Sequence, residues 1–318
     1  MNKHWVSLHN HTEFSLLDGA TKVFELMERI KNIGQQAVAV TDHGNLFGVI
    51  KATEAAKKHG VKLIVGSELY IAPMGRSRFD KDYKKGEKHS HHLVLLAKNR
   101  VGYRNLSILS SQGYSQGFYY TPRIDRELLE QYSEGLIATT SCMGGPIPAT
   151  ISAGDFHKAE KDMQWFQRVF GEDFYVEIHR HNIPEEEELM QYMRQVAKQY
   201  SIPTIVATDS HYLLEEDAMI HDVLLCVGTG DWVDNPNRRM KFSGNGYHIM
   251  TEAEVLKRFP HDVDAIYRTG EIADKIEENV IQFNKTEIPV FEVPEDMAFE
   301  NWRKNKGESP VWRLLRGQ

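Results

Sequence analysis

Gln36-Ala37-Val38-Ala39-Val40-Thr41-Asp42-His43-Gly44 is the stretch whose reading decides the fold. Four of its first five residues are apolar and make a run of strand length. A polar group with ligand chemistry follows, then a glycine. Leu46–His59 has helical period and stops at Gly60. The same order recurs on either side. Upstream, Val6–Leu8 begins a strand, and the loop His9–Gly19 carries His9, His11 and Asp18. Thr21–Ile33 then reads as a helix, with Val23, Leu26, Met27 and Ile30 on one stripe and Gly34 as its stop. Downstream, Val61–Val65 is a strand, followed by Gly66-Ser67-Glu68. Strands alternating with helices in this way predict βαβ units with parallel pairing. In such folds the chemistry sits at the carboxyl ends of the strands.

The rhythm breaks at Met74–Ser90. Arg76, Arg78, Lys81, Lys84, Lys85 and Lys88 crowd a segment that also holds Asp80, Asp82 and Glu87. It reads as a solvated, mobile loop, with a basic flap over a phosphate backbone as the alternative. His89, His91 and His92 precede the apolar run Leu93–Ala97 instead of following it, so that strand is either antiparallel or offset. Leu136–Thr140, Phe174–His181 and Thr204–Ala207 complete about seven strand units, joined by helices at Tyr103–Gln112, Asp125–Tyr132, Asp155–Phe170 and Glu185–Tyr200. A closed barrel is the economical way to bury so many apolar strands on both faces. Glu215–Cys226, Ala253–Phe259 and Asp262–Asn279 read as helices beyond it. The expected division is a barrel over 1–215, a helical extension over 216–295 and a loosely ordered tail over 296–318.

The 318 residues are 41% hydrophobic and 26% charged, with a formal net charge of −7. That balance excludes a domain whose main task is to coat DNA or an anionic membrane by bulk charge. Two cysteines, Cys142 and Cys226, cannot build a disulfide framework, which favours a reducing cytosol. The start of the chain carries no apolar signal region, and no apolar run is long enough to span a bilayer.

Collected from the strand ends, His9, His11, His43, Glu68, His92, Cys142, Asp209 and His211 form a donor set, with Asp18 from the first loop. His9 and His11 project together because side chains at i and i+2 of an extended chain share a face. Imidazole, carboxylate and one thiolate suit Zn, Mn or Fe and not Ca or Mg. The donors are too many for one ion, so two or three divalent metals are expected, with Glu68 a candidate bridge. Such clusters hold the attacking and leaving oxygens of a phosphoryl group, and the implied reaction is phosphate-ester hydrolysis. Each residue taken singly has a plainer role. Asp42 and Asp209 could cap helices, Cys142 could be a small buried hydrophobe, and Glu68 could pair at the surface. Tyr70 and Tyr212 read as packing, and His89 and His91 as solvated. His179 and His181 alternate with Glu177 on one strand face and could back the ligands. The joint placement points to metal. No Gly-x-Gly-x-x-Gly after a strand, Walker-type Gly-Lys-Ser/Thr or Gly-x-Ser-x-Gly elbow competes.

Leu8-His9-Asn10-His11-Thr12 through Asp18-Gly19, Thr41-Asp42-His43-Gly44, Gly66-Ser67-Glu68 and Thr208-Asp209-Ser210-His211-Tyr212 resemble the motifs of the PHP (polymerase and histidinol phosphatase) domain. His92–Asn99 with Gly102–Leu106, and the stretch from Tyr247-His248-Ile249-Met250-Thr251, resemble the version found in bacterial DNA polymerase III alpha subunits. The resemblance covers about residues 4–295. It implies a distorted, TIM-like (β/α)7 barrel with a small, mostly helical extension. It also implies a first metal on His9, His11, Glu68 and Asp209, a second on Glu68, His92 and Cys142, and a third on Asp18, His43 and His211. Asp209, His211 and Glu68 would serve catalysis, backed by Asp42, Glu177, His179 and His181. The implied activity is metal-dependent phosphodiester hydrolysis, including 3′–5′ exonuclease proofreading, within a cytoplasmic bacterial DNA-directed DNA polymerase. The polymerase aspartates of such subunits lie well beyond residue 318, and the tail from about Trp302 departs from the expected continuation. Implied partners are a DNA 3′ end, the remainder of the alpha subunit, a proofreading subunit and other replisome components. Two alternatives stand beside this: a metal-braced docking module without catalysis, and a free-standing histidinol-phosphatase-like phosphomonoesterase.

Overall fold

The computed structural model describes residues 3–283. The tail expected over 296–318, and the last part of the expected extension, lie outside them. Seven strands form one curled mixed sheet: β1 (Ala37–Val40), β2 (Lys62–Ile71), β3 (His91–Ala97), β4 (Arg123–Ile124), β5 (Leu136–Thr139), β6 (Phe174–Ile178) and β7 (Thr204–Val206). Their order is β1-β2-β3-β5-β6-β7, with β4 paired to β2 off that path. Helices α1 (Val23–Asn32), α2 (Val49–His59), α3 (Arg100–Ser115), α4 (Arg126–Gln131), α5 (Pro146–Ser152), α6 (Phe156–Phe170) and α7 (Pro184–Gln199) connect them, and α8 (Ala218–Thr229), α9 (Glu252–Arg258) and α10 (Val263–Lys275) follow. The architecture is the α/β, TIM-like one expected.

The first expected strand is not a ladder. Residues 7–10 make single parallel bridges, Ser7 with Val38 and Asn10 with Ser210. The Ala39 N–H donates to Ser7 O at 2.9 Å on one side, and the His11 N–H donates to Ser210 O at 2.8 Å on the other. The segment therefore lies between β1 and the chain just after β7. Asn10 explains why no longer ladder is needed: its Nδ2 donates to Ser7 O and Ala39 O, and its Oδ1 accepts from the Ser7 hydroxyl. Side-chain amide groups there take up backbone pairing capacity that a ladder would otherwise use.

Uniformly parallel pairing is corrected at β3, which runs antiparallel to both β2 and β5. The sequence left that direction open. Its consequence is geometric: the start of β3 lies where the parallel strands end, and Tyr70 of β2 pairs with His92. β2 is also twice the expected length, so Glu68 sits inside a strand, opposite Val94.

Alternation along the strands sorts the core into an inner and an outer set. Val6, Leu8, Ala37, Ala39, Ile64, Val94, Leu96, Ile137, Tyr175 and Ile205 pack together, and Ile272 and Ala273 of α10, with Ile276 just after it, join them. Val38 and Val40, one residue out of phase, pack against α1 and α2. The segment Met74–Ser90, expected to be solvated and mobile, is tied down by a fully buried arginine. Arg123 donates to the carbonyls of Arg78, Asp80 and His89 and to the Tyr83 hydroxyl. Its guanidinium also lies over the Tyr83 and Tyr119 rings, 5.5 and 5.1 Å from their centroids.

Candidate metal centre

The local folding that presents each donor is specific. Glu68 reaches the centre because antiparallel β3 brings His92 alongside it, with Nδ1 3.2 Å from Glu68 Oε1. Asp209 follows β7 with φ at +45°, the left-handed region that Asp and Asn tolerate better than most residues. Ser141 takes the same region (φ 59°) as the chain leaves β5 and delivers Cys142 beside His92. Gly144 must be small there, because a Cβ would stand 3.1 Å from His92 Nδ1.

Nearly all the expected residues converge. His9 Nε2 lies 3.4 Å from Glu68 Oε1 and 3.3 Å from Asp209 Oδ1. His11 Nε2 lies 3.4 Å from Glu68 Oε2 and 3.3 Å from Asp209 Oδ1. His43 spans Glu68 Oε2 at 2.9 Å and Asp18 Oδ2 at 2.8 Å, and His211 Nε2 is 3.6 Å from Asp18 Oδ2. Cys142 Sγ is 3.7 Å from His92 Nδ1 and 3.8 Å from Glu68 Oε1. The His11 ring is stacked between those of His43 and His211, with centroids 4.1 and 4.3 Å away.

Three of the imidazoles, those of His9, His11 and His211, are held by their other nitrogens. His9 Nδ1 faces Glu177 Oε2 at 3.0 Å, and Glu177 also accepts from the Thr139 hydroxyl and faces His179 Nε2 at 2.8 Å. His211 Nδ1 donates to the Asp209 carbonyl at 2.8 Å. His11 Nδ1 meets the Ser15 hydroxyl at 2.9 Å, which itself donates to Asp42 Oδ1 at 2.8 Å. Such partners fix the tautomer and aim the second nitrogen as a lone-pair donor. Asp42 caps no helix. It accepts from the Thr12 N–H and hydroxyl and from Ser15, while α2 begins only at Val49. Asp209 caps no helix either, since its carboxylate faces His9 and His11. His181 stands a step back, bonded to Glu186 and to the Thr208 carbonyl.

The donors fit metal ions by a direct criterion. His9 Nε2, His11 Nε2, Asp18 Oδ1, His43 Nδ1, Glu68 Oε2, Asp209 Oδ1 and His211 Nε2 are all buried, and none makes a hydrogen bond of acceptable geometry. The short His43–Glu68 approach is therefore proximity without a bond. Buried polar atoms are rarely left orphaned, and so many facing one another mark a place for an ion. Among the described residues, His9, His11 and Asp209, and separately His43, Glu68 and His92, bring donor atoms within 4.8 Å of one another.

Charge agrees with this. Burial opposes ionisation throughout, yet the imidazoles hold Asp18, Glu68 and Asp209 well below the usual carboxylate range. Burial also opposes the charged form of His9, but Asp209, Glu177 and Glu68 raise it well above its ordinary value. His11 is lowered, by burial first and then by His43 and His211. Burial, with Glu68 and Asp209 close by, pushes the Cys142 thiol up. Protons thus stand in for positive charge here, and a cation entering the site displaces them.

Three contributors escaped the sequence reading. Ser15 links His11 to Asp42. Ser141 donates to Glu68 Oε1. His221, on α8, is buried with its Nε2 4.0 Å from Asp18 Oδ1 and its ring 5.5 Å from that of His211. Ser15 had no signal beyond lying within the first quoted motif, and Ser141 and His221 had none.

The PHP domain family model matches residues 7–181. DNA polymerase III subunit alpha of Borreliella burgdorferi is 41% identical over 290 residues, which is 91% of this chain and 25% of that protein. The corresponding subunit of Aquifex aeolicus is 38% identical over 331 residues, 100% of this chain and 28% of that protein. The chain thus spans about a quarter of the length of these curated relatives. A solved amidohydrolase structure from Chromobacterium violaceum aligns with 65% of this chain and 88% of its own at 14% identity, with a TM-score of 0.38, a likeness too slight to weigh on fold or chemistry. The family match covers more than half of the chain, and the histidine and carboxylate donors described above fall within it or just beyond it: the chain belongs to the PHP domain family.

Proposed function

We propose that this chain is the N-terminal PHP region of a replicative DNA polymerase III alpha subunit, and that its centre hydrolyses phosphodiesters at DNA 3′ ends as a 3′–5′ exonuclease. The orphaned donor atoms carry the reading: they are buried and mutually facing, and the rings of His9, His11 and His211 are oriented from behind, as suits ions held between them. We assign His9, His11, Glu68 and Asp209 to a first ion, Glu68, His92 and Cys142 to a second, and Asp18, His43 and His211 to a third. Zn, Mn and Fe suit these donors. Ions so placed would polarise a phosphoryl oxygen and acidify water.

The protein's own part is placement. Glu68 lies within 3.4 Å of His9, His11, His43 and His92, so its two oxygens can serve more than one ion. Glu177, Ser15 and the Asp209 carbonyl hold the protons of His9, His11 and His211 away from the centre. Asp209, His211 and Glu68 are the residues assigned to catalysis. On this reading residues 1–215 are the metal-binding barrel and 216–295 lead toward the polymerase core. Its setting is the bacterial cytoplasm, and its partners are the remainder of the alpha subunit, a proofreading subunit and other replisome components. No helix among the described residues is long and apolar enough to cross a membrane.

The test is direct. The purified chain, supplied with Mn²⁺ or Zn²⁺, shortens a 5′-labelled single-stranded primer from its 3′ end, and Asp209→Asn abolishes the shortening. No shortening with any divalent metal overturns the catalytic reading.

A further inference from the structure

The metal centre opens on one side into a cleft of about 580 Å³ whose lining includes His43 and Asp18. Five aromatic side chains contribute to its remaining wall. Phe47 comes from the turn before α2, Tyr70 from β2, Tyr114 from the last turn of α3, and Phe118 and Tyr120 from the connection to β4. Phe47, Tyr114, Phe118 and Tyr120 are 59%, 41%, 51% and 75% exposed, so packing does not account for them. A soluble surface seldom gathers large apolar groups unless something covers them.

The rings are arrayed, not scattered. Tyr114 and Phe118 are near parallel, 25° apart with centroids at 6.3 Å, and Phe47 lies 6.0 Å from Tyr114. On the inner side Tyr70 stacks on His43 at 5.9 Å and 20°. Two groups of rings thus line the cleft: an outer one of Phe47, Tyr114 and Phe118, and an inner one in which Tyr70 stacks on a residue of the metal centre. Tyr120 is held with φ at +61°, a conformation costly for a tyrosine, and its ring points out of the fold. Among the described residues, Arg239 brings a guanidinium to the cleft lining.

We infer that this cleft is a binding site for unpaired nucleobases of a single-stranded nucleic-acid end, whose terminal phosphodiester lies at the metal centre. The inference rests on the hydrolytic reading of that centre and adds the substrate feature it selects. Base stacking on aromatic rings tolerates any sequence, because every base has a π-face. A base inside a duplex offers only its edges, so a frayed or mismatched end enters more readily than a paired one, the cost of unstacking being least there. The alternative occupant, an apolar segment of another protein, does not account for a cleft that opens onto His43 and Asp18 of the metal centre.

The experiment measures equilibrium binding of 5′-fluorescein-labelled decathymidylate by anisotropy, on the Asp209→Asn chain and on the unsubstituted chain in EDTA. Tyr114→Ala and Phe118→Ala each weaken binding roughly five- to a hundredfold, and Tyr114→Phe and Phe118→Trp retain it. The decamer with abasic residues at its two 3′-terminal positions binds more weakly by a similar factor, a comparison that needs no substituted protein. Equal binding of the intact and abasic decamers, or alanine variants that bind as the parent does, overturns the inference and leaves the cleft to a protein partner. Turnover of bis(p-nitrophenyl) phosphate by the unsubstituted chain reads the metal centre separately. Turnover with base-indifferent binding rejects the cleft assignment alone, whereas base-dependent binding without turnover supports it and rejects the hydrolytic reading.

Discussion

Glu177 orients His9: its Oε2 lies 3.0 Å from His9 Nδ1 and aims Nε2 at Glu68 and Asp209, where it becomes a lone-pair donor once an ion displaces its proton. The same oxygen is 2.8 Å from His179, so one buried carboxylate positions two rings. Partners of this kind contribute about 10–100-fold to metal affinity. Glu177→Gln keeps the volume and loses the charge. Its affinity for Zn²⁺, measured by competition with a chelating dye, falls by about that factor. An affinity within twofold of the parent contradicts the positioning role.

Asp209→Asn separates chemistry from folding. Asparagine accepts the left-handed backbone at this position as readily as aspartate does, so the turn survives. What is lost is the anionic oxygen 3.3 Å from both His9 and His11. Primer trimming disappears, while the far-ultraviolet circular dichroism of the metal-free protein stays that of the parent. Retained trimming removes Asp209 from the catalytic assignment.

Arg123 holds the segment 76–90 through three carbonyls and the Tyr83 hydroxyl, and its loss leaves those acceptors to find water. Arg123→Leu destabilises the chain by about 3 kcal/mol in urea unfolding and speeds tryptic cleavage between Arg76 and Lys88. Arg123→Lys does not restore it, because an ammonium lacks the forked donor geometry. Unchanged cleavage in both variants shows the segment to be held by other means.

His221 gives a pH dependence of known sign. Burial, then the charge of His211, lowers its imidazole to about 4 against an ordinary 6.5. Between pH 6.5 and 4 the unfolded chain therefore binds a proton that the folded chain refuses, and stability falls as the pH drops through that window. The loss is on the order of 2–3 kcal/mol and levels off below pH 4. Urea unfolding in EDTA at several pH values shows it as a difference between the parent and His221→Gln. Parallel curves for the two proteins contradict it.

Much of this was legible from side-chain type and period. The stripe Val23, Leu26, Met27 and Ile30 placed α1, and donors such as His43 stood out because a strand led to each. Three features were not legible. β3's direction depends on which neighbours it pairs with, and nothing in Leu93–Ala97 encodes that. The length of β2 was hidden because Gly66-Ser67-Glu68 interrupts its apolar run and reads as a strand end. Ser15, Ser141 and His221 are ordinary residues until distant segments give them partners.

The central claim is that these donors hold ions, and metal content tests it most directly. The chain is purified without chelator, dialysed against metal-free buffer at pH 7.5 and analysed by inductively coupled plasma mass spectrometry. The account expects two or three equivalents of a divalent metal such as Zn, Mn or Fe, with a lower count in His9→Ala. A stoichiometry near zero, unchanged after incubation with each metal in turn, would contradict it.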